Sequence, residues 1–181
     1  MFIAKRLKKE NICEYLLYMW QIEDLIRAFD LNIDAINEQI VVSYPVADQE
    51  RRSLYEWYES LIEMMRFENV QTCGHLQLNK NIMQELNELH SSIIRSGKAA
   101  GYNAKFYYIL PSLFQLRKQQ VDQALSDIEL CFNFQYGIMT LRMKKIEITP
   151  ETLHIQTEVS KFMVLLAQNY RLYKSGELDL E

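Results

Sequence analysis

Chain-breaking residues are scarce in this sequence. Five glycines and three prolines among 181 residues are too few for a fold of many short strands and favour long helices joined by short connections. Cysteine is scarce as well. Cys13, Cys73 and Cys131 are odd in number, widely spaced and form no CxxC pair, which argues against a disulfide framework. Each lies among apolar neighbours, so buried free thiols in a reducing cytoplasm are expected.

An excess of positive charge is also missing. The formal net charge is −4, which argues against a surface built for nucleic-acid phosphates. The one basic run, Lys5, Arg6, Lys8 and Lys9, reads first as a solvated helix end and only second as a phosphate or anionic-membrane contact. No stretch approaches the roughly 18 uninterrupted apolar residues of a membrane span. Glu10, Asn11 and Glu14 interrupt the region where a signal peptide would carry its apolar segment. A cytoplasmic location is expected. GxGxxG, GxxxxGK[ST] and GxSxG are absent too, so no nucleotide cradle, nucleophile elbow or cofactor is expected.

Present instead is large apolar material in helical register: 49% hydrophobic residues, with eight methionines and eleven tyrosines. Asn11 to Phe29 is apolar on nearly every side, which suits a central helix. Ile12, Tyr15, Met19, Ile22, Ile26 and Phe29 fall on one stripe, and Cys13, Leu16, Leu17 and Trp20 cover much of the opposite side. The periodicity predicts a first helix over about 4–29 and a shorter one over about 31–42, capped by Asn32 or Asp34. A third spans about 47–70, with Leu54, Trp57, Tyr58, Leu61, Ile62, Met64 and Met65 inward and Arg52, Glu56, Glu59, Glu63 and Arg66 outward. A fourth covers about 77–96, closed by Gly97.

Tyr102 to Leu110 reads as helix until Pro111, where a kink or break is expected. Val121, Leu125, Ile128, Phe132, Tyr136, Met139, Met143 and Ile146 then predict one long helix over about 112–146, some 50 Å at 1.5 Å per residue. Gly137 within it suggests close approach of a neighbouring backbone. Thr149-Pro150-Glu151 is a strong helix start. Ile155, Val159, Phe162, Leu166, Tyr170 and Tyr173 follow as a buried stripe, Gly176 ends the helix, and 177–181 is an acidic tail. The expected fold is all-α: one domain over 1–176, a bundle of about six helices with one long helix in its C-terminal half.

The chemistry-bearing residues are few. Glu151-Thr152-Leu153-His154 has Glu-x-x-His spacing once, but a di-metal carboxylate bundle needs two such motifs and two further glutamates. No metal site is therefore expected. His90 reads as a partly buried structural histidine, and Cys73 with His75, two apart on a turn, is poor geometry for a nucleophile and its base. The strongest cluster is Trp20, Glu23, Asp24 and Arg27. Glu23 and Arg27, four apart, can pair along the helix, and burial there requires a matched network. That network is either a structural ion pair or a polar pocket for a small ligand or partner. Tyr102, Phe106, Tyr107 and Tyr108 either fill core gaps or form an exposed aromatic contact surface.

The run Ile3-Ala4, Asn11-Ile12, Glu14-Tyr15 and Tyr18-Met19-Trp20-Gln21-Ile22-Glu23-Asp24-Leu25-Ile26-Arg27, with Ile148-Thr149-Pro150-Glu151-Thr152 further on, resembles a bacterial family that carries only a domain-of-unknown-function label. The resemblance covers essentially the whole chain. It implies a cytoplasmic, all-helical bacterial protein and brings no activity, cofactor or catalytic residue. The functional expectation is a non-enzymatic interaction or scaffold protein that pairs with itself as a homodimer, or with another protein, through helical surfaces. The alternative is a small-ligand binder or enzyme whose pocket includes Trp20, Glu23, Asp24 and Arg27.

Overall fold

The computed structural model describes residues 1–119 and 124–180. Among these the chain forms eight α-helices and one π-helical turn: α1 (Phe2–Glu10), α2 (Ile12–Ala28), α3 (Ile33–Ile36), the π turn (Asn37–Val41), α4 (Asp48–Phe67), α5 (Gln77–Ser96), α6 (Ala100–Lys118), α7 (Asp127–Met143) and α8 (Pro150–Ser175). The fold is all-α, and the expected count of six rises for identifiable reasons. Asn11 divides the first predicted helix, because its Oδ1 accepts the Cys13 N–H at 3.1 Å and caps a new start. Asn32 accepts from the N–H groups of Asp34 and Ala35, as expected for a cap, and the β-branched Ile40–Val41 stretch then winds as a π turn.

The long helix over 112–146 is not formed. α6 ends at Lys118 and a separate α7 begins at Asp127. Ser126 makes that start: its hydroxyl accepts the Glu129 N–H at 3.1 Å while the Glu129 carboxylate accepts the Ser126 N–H at 2.8 Å. This is a reciprocal capping box. Val121, placed on the long stripe, lies outside the described residues, as does Glu181 of the predicted tail. Pro111 neither ends nor interrupts α6, which runs through it with Pro111 on the exposed face. Gly137 has no close backbone neighbour: nothing stands within 4 Å of where its Cβ would be. It lines a groove of about 640 Å³ with Leu116, Phe134 and Ile138.

Chain contacts gather into two compact units, Met1–Glu10 with Glu14–Asn81, and Asn11–Cys13 with Ile82–Glu181. In the first, α4 buries Leu54, Tyr58, Leu61, Ile62 and Met65 and packs on α3 and the π turn. Tyr18 is half-buried there beside Tyr44, and burial pushes its hydroxyl up to about 12. In the second, α6, α7 and α8 pack pairwise. Its centre is aromatic. His90 Nδ1 and the Tyr102 hydroxyl are bonded at 2.8 Å, and Phe106 and Phe162 pack edge-on to the His90 ring. Burial lowers the His90 pKa, against an opposing effect of Asp127, and His90 is buried, as expected. Cys13 and Cys131 are buried, whereas Cys73 is exposed on the turn before α5, contrary to expectation. Tyr173, assigned to the α8 stripe, is also exposed.

Candidate functional site

Trp20, Glu23, Asp24 and Arg27 follow i, i+3, i+4, i+7 spacing and share a face of α2. That face meets the loop from Glu68 to Leu76, which joins α4 to α5 inside the first unit. The loop turns twice through left-handed backbone, at Asn69 (φ 57°) and Gly74 (φ 83°); glycine adopts the second without cost.

Glu23 is 1% exposed. Its Oε1 accepts the Leu76 N–H at 2.9 Å and the Asn79 Nδ2–H at 2.7 Å, and its Oε2 accepts from His75 Nδ1 at 2.6 Å. A buried carboxylate is tolerable only when its lone pairs are filled, and here three donors fill them. Leu76 and Asn79 stand at the start of α5, where unpaired N–H groups and the helix dipole favour negative charge. Glu68, just past the end of α4, adds a second carboxylate: its Oε2 accepts the Gln77 N–H at 2.6 Å. The N-terminus of α5 is therefore capped by acids from two other elements.

Glu23 does not pair with Arg27, as the four-residue spacing had suggested. Arg27 bonds Asp24 at 2.8 Å and donates to the carbonyl oxygens of Val70 at 3.0 Å and Gly74 at 2.5 Å. It clamps both ends of the tight turn. The Trp20 ring stacks on His75, centroids 4.2 Å apart and planes 13° apart. The four α2 residues thus do converge, on one loop. Two partners were absent from the sequence-based cluster, His75 and Asn79. No local spacing links them to Glu23, since both lie more than fifty residues away. His75 is 34% exposed at its side chain. With Nδ1 facing Glu23, Nε2 lies on the far side of the ring. Among the described residues no group of three or more His, Cys, Asp or Glu is placed to hold a metal ion.

A second feature lies on α6. The predicted aromatic cluster divides: Tyr102 and Phe106 are buried, while Tyr107 and Tyr108 are exposed. Tyr107, Leu110 and Phe114 are 57%, 36% and 58% exposed, and with Pro111 they line a shallow apolar hollow of about 450 Å³. Positions 107, 110, 111 and 114 form a single helical row. Lys118 lies over the Phe114 ring, 4.5 Å from its centroid.

Glu151 and His154 are both exposed, and His154 opens onto a small cleft beside Glu158. Glu158 bonds Lys105 and, at 2.8 Å, Lys161; hydrogen bonds from these two ammonium groups hold its carboxyl down to about 2. Lys5, Arg6, Lys8 and Lys9 are exposed on α1. No helix among the described residues is long and apolar enough to cross a membrane.

These features define an all-helical protein with a buried polar staple in one unit and an exposed aromatic helix face in the other. The family described as Domain of unknown function (DUF4924) matches residues 1–177, and the chain belongs to that family. No curated protein and no solved structure matches it.

Proposed function

We propose that the protein is a non-enzymatic, cytoplasmic interaction protein that forms a homodimer through the exposed face of α6. The observation carrying this reading is the row Tyr107, Leu110, Pro111 and Phe114. Contiguous exposed apolar patches mark interaction surfaces, and aromatic residues are enriched in them. A second copy is the partner this row fits best. About the midpoint of Leu110 and Pro111, Tyr107 and Phe114 are equidistant, as are Leu110 and Pro111. Two such rows laid antiparallel about a two-fold axis therefore set ring against ring and aliphatic against aliphatic, as an isologous interface requires. The flanking Arg117 is neutralised by Asp127 at 2.7 Å, which removes a source of repulsion. The three free cysteines suit a reducing compartment.

The test is molar mass by light scattering from low to several hundred micromolar protein. A dimer is expected, and Leu110→Glu with Phe114→Glu should give a monomer with unchanged circular dichroism. A wild-type chain that stays monomeric across that range ends this proposal.

The alternative, a small-ligand site around Trp20, Glu23, Asp24 and Arg27, draws support from three observations. Two buried polar atoms there, Arg27 Nε and Asn79 Oδ1, lack a partner among the described residues, and the half-exposed His75 ring keeps Nε2 uncommitted. It requires a compound that raises the melting temperature of the wild type and not of His75→Gln.

A further inference from the structure

A groove of about 850 Å³ runs along one face of α5 in the second unit. Glu85, Glu88, Ser92 and Arg95 form one wall, and Tyr173 and Lys174 of α8 belong to the other. From Glu85 to Arg95 the α5 row climbs roughly 15 Å at about 1.5 Å per residue, enough for four or five residues of extended chain. Its two ends differ in charge. Glu85 is answered by the Lys174 ammonium at 2.9 Å and the Tyr170 hydroxyl at 2.8 Å. At the far end the Arg95 guanidinium donates only to the Ser91 carbonyl oxygen and the Ser92 hydroxyl, so its charge meets no carboxylate among the described residues.

The segment that follows α8 supplies part of the groove's lining. Gly176, at φ 76°, reverses the chain after α8, and the N–H groups of Glu177 and Leu178 both return to the Leu172 carbonyl oxygen at 2.9 and 3.2 Å. The following residues run back so that Asp179 pairs with Lys98 at 3.0 Å and Leu180 lines the groove. Leu178 and Leu180 are half-buried and Asp179 is exposed, the alternation of an extended segment.

We propose that this groove recognises extended acidic–aliphatic peptide segments, with residues 177–180 as its occupant in cis and a partner protein's segment of the same chemistry displacing them. The seated residues show what it reads: an acid against Lys98 and leucine against the α5 face. Arg95 supplies a second, unused site for an acid deeper in. This proposal concerns α5 and α8 and stands apart from the α6 dimer.

The test uses the full chain and a fluorescein-labelled peptide, Ser-Gly-Glu-Leu-Asp-Leu, followed by anisotropy at low salt. A tethered occupant competes at an effective concentration of order millimolar, so the wild type should bind the peptide weakly. Asp179→Lys sets like charges together and frees the groove, and should tighten binding about tenfold. Adding Lys98→Ala, which removes the cation that the peptide's aspartate would meet, should return it to background. All these side chains are exposed, and circular dichroism verifies that each variant folds. Equal, weak binding by wild type and Asp179→Lys, or tight binding that survives Lys98→Ala, overturns the proposal.

Discussion

Replacing Glu23 by alanine should destabilise the fold far more than any exposed glutamate. The substitution removes three hydrogen bonds to a buried carboxylate. Hydrogen bonds to a charged group are worth about 1.5–3 kcal/mol each, and a buried donor left without a partner costs about 1–3 kcal/mol. Simple addition overshoots, because the loop can relax and admit water to the half-exposed His75. The loss from breaking a buried charged network, about 3–5 kcal/mol, is the better figure. For a chain of this size each kcal/mol moves the melting temperature by about 2–4 °C, so a fall of roughly 6–20 °C is expected.

Urea unfolding followed by circular dichroism measures the effect, with tryptophan fluorescence checking that Trp20 and the helices report one transition. Glu23→Gln should cost less, about 1–2 kcal/mol, because its remaining oxygen can still accept from Leu76 and Asn79. A double-mutant cycle with His75→Ala should give a coupling above about 0.5 kcal/mol. If Glu23→Ala loses less than about 1 kcal/mol, the range of an ordinary surface change, the carboxylate is not the keystone of the loop and the reasoning fails.

Three further outcomes follow from the geometry. Ellman's reagent should modify one thiol per native chain, the exposed Cys73, and reach Cys13 and Cys131 only on unfolding; burial also pushes the Cys131 thiol up, which further slows its reaction. Glu158 is held down to about 2 against an ordinary 4.5, so its stabilisation is complete above about pH 4.5 and lost as pH falls toward 2; an acid titration of Glu158→Gln should lack that share of the loss. Gly137→Ala should stabilise α7 by about 0.5–1 kcal/mol, since the site is helical and its Cβ meets nothing within 4 Å; thermal melts read the sign.

Local signals carried most of the fold. The Gln77–Ser96 and Pro150–Ser175 helices lie where periodicity and end signals place them, because Gly97, Thr149-Pro150 and Gly176 act through nearest neighbours. The failures are equally physical. The apolar spacing from Leu125 to Ile146 continued without a visible fault, and it concealed the Ser126–Glu129 box, a signal that was in the sequence and outweighs stripe continuity. Asn11 hid its break in the same manner. At Pro111 a kink or a break was expected, and of the two the break does not occur, since α6 continues through it. At the polar cluster, burial of Glu23 was legible from its place on an all-round apolar helix. Its partners were not, because the loop folds back from more than fifty residues away and helical spacing says nothing of such returns.

The start of α5 carries a consequence for how the chain assembles. Its own residues supply no acid in the first turn; both carboxylates that terminate it are delivered from α2 and from the end of α4. A peptide comprising only 77–96 should accordingly fray at its leading end. In the whole protein the opening turn of α5 depends on tertiary contact, so its amides are expected to exchange when the loop lets go, which hydrogen exchange would read.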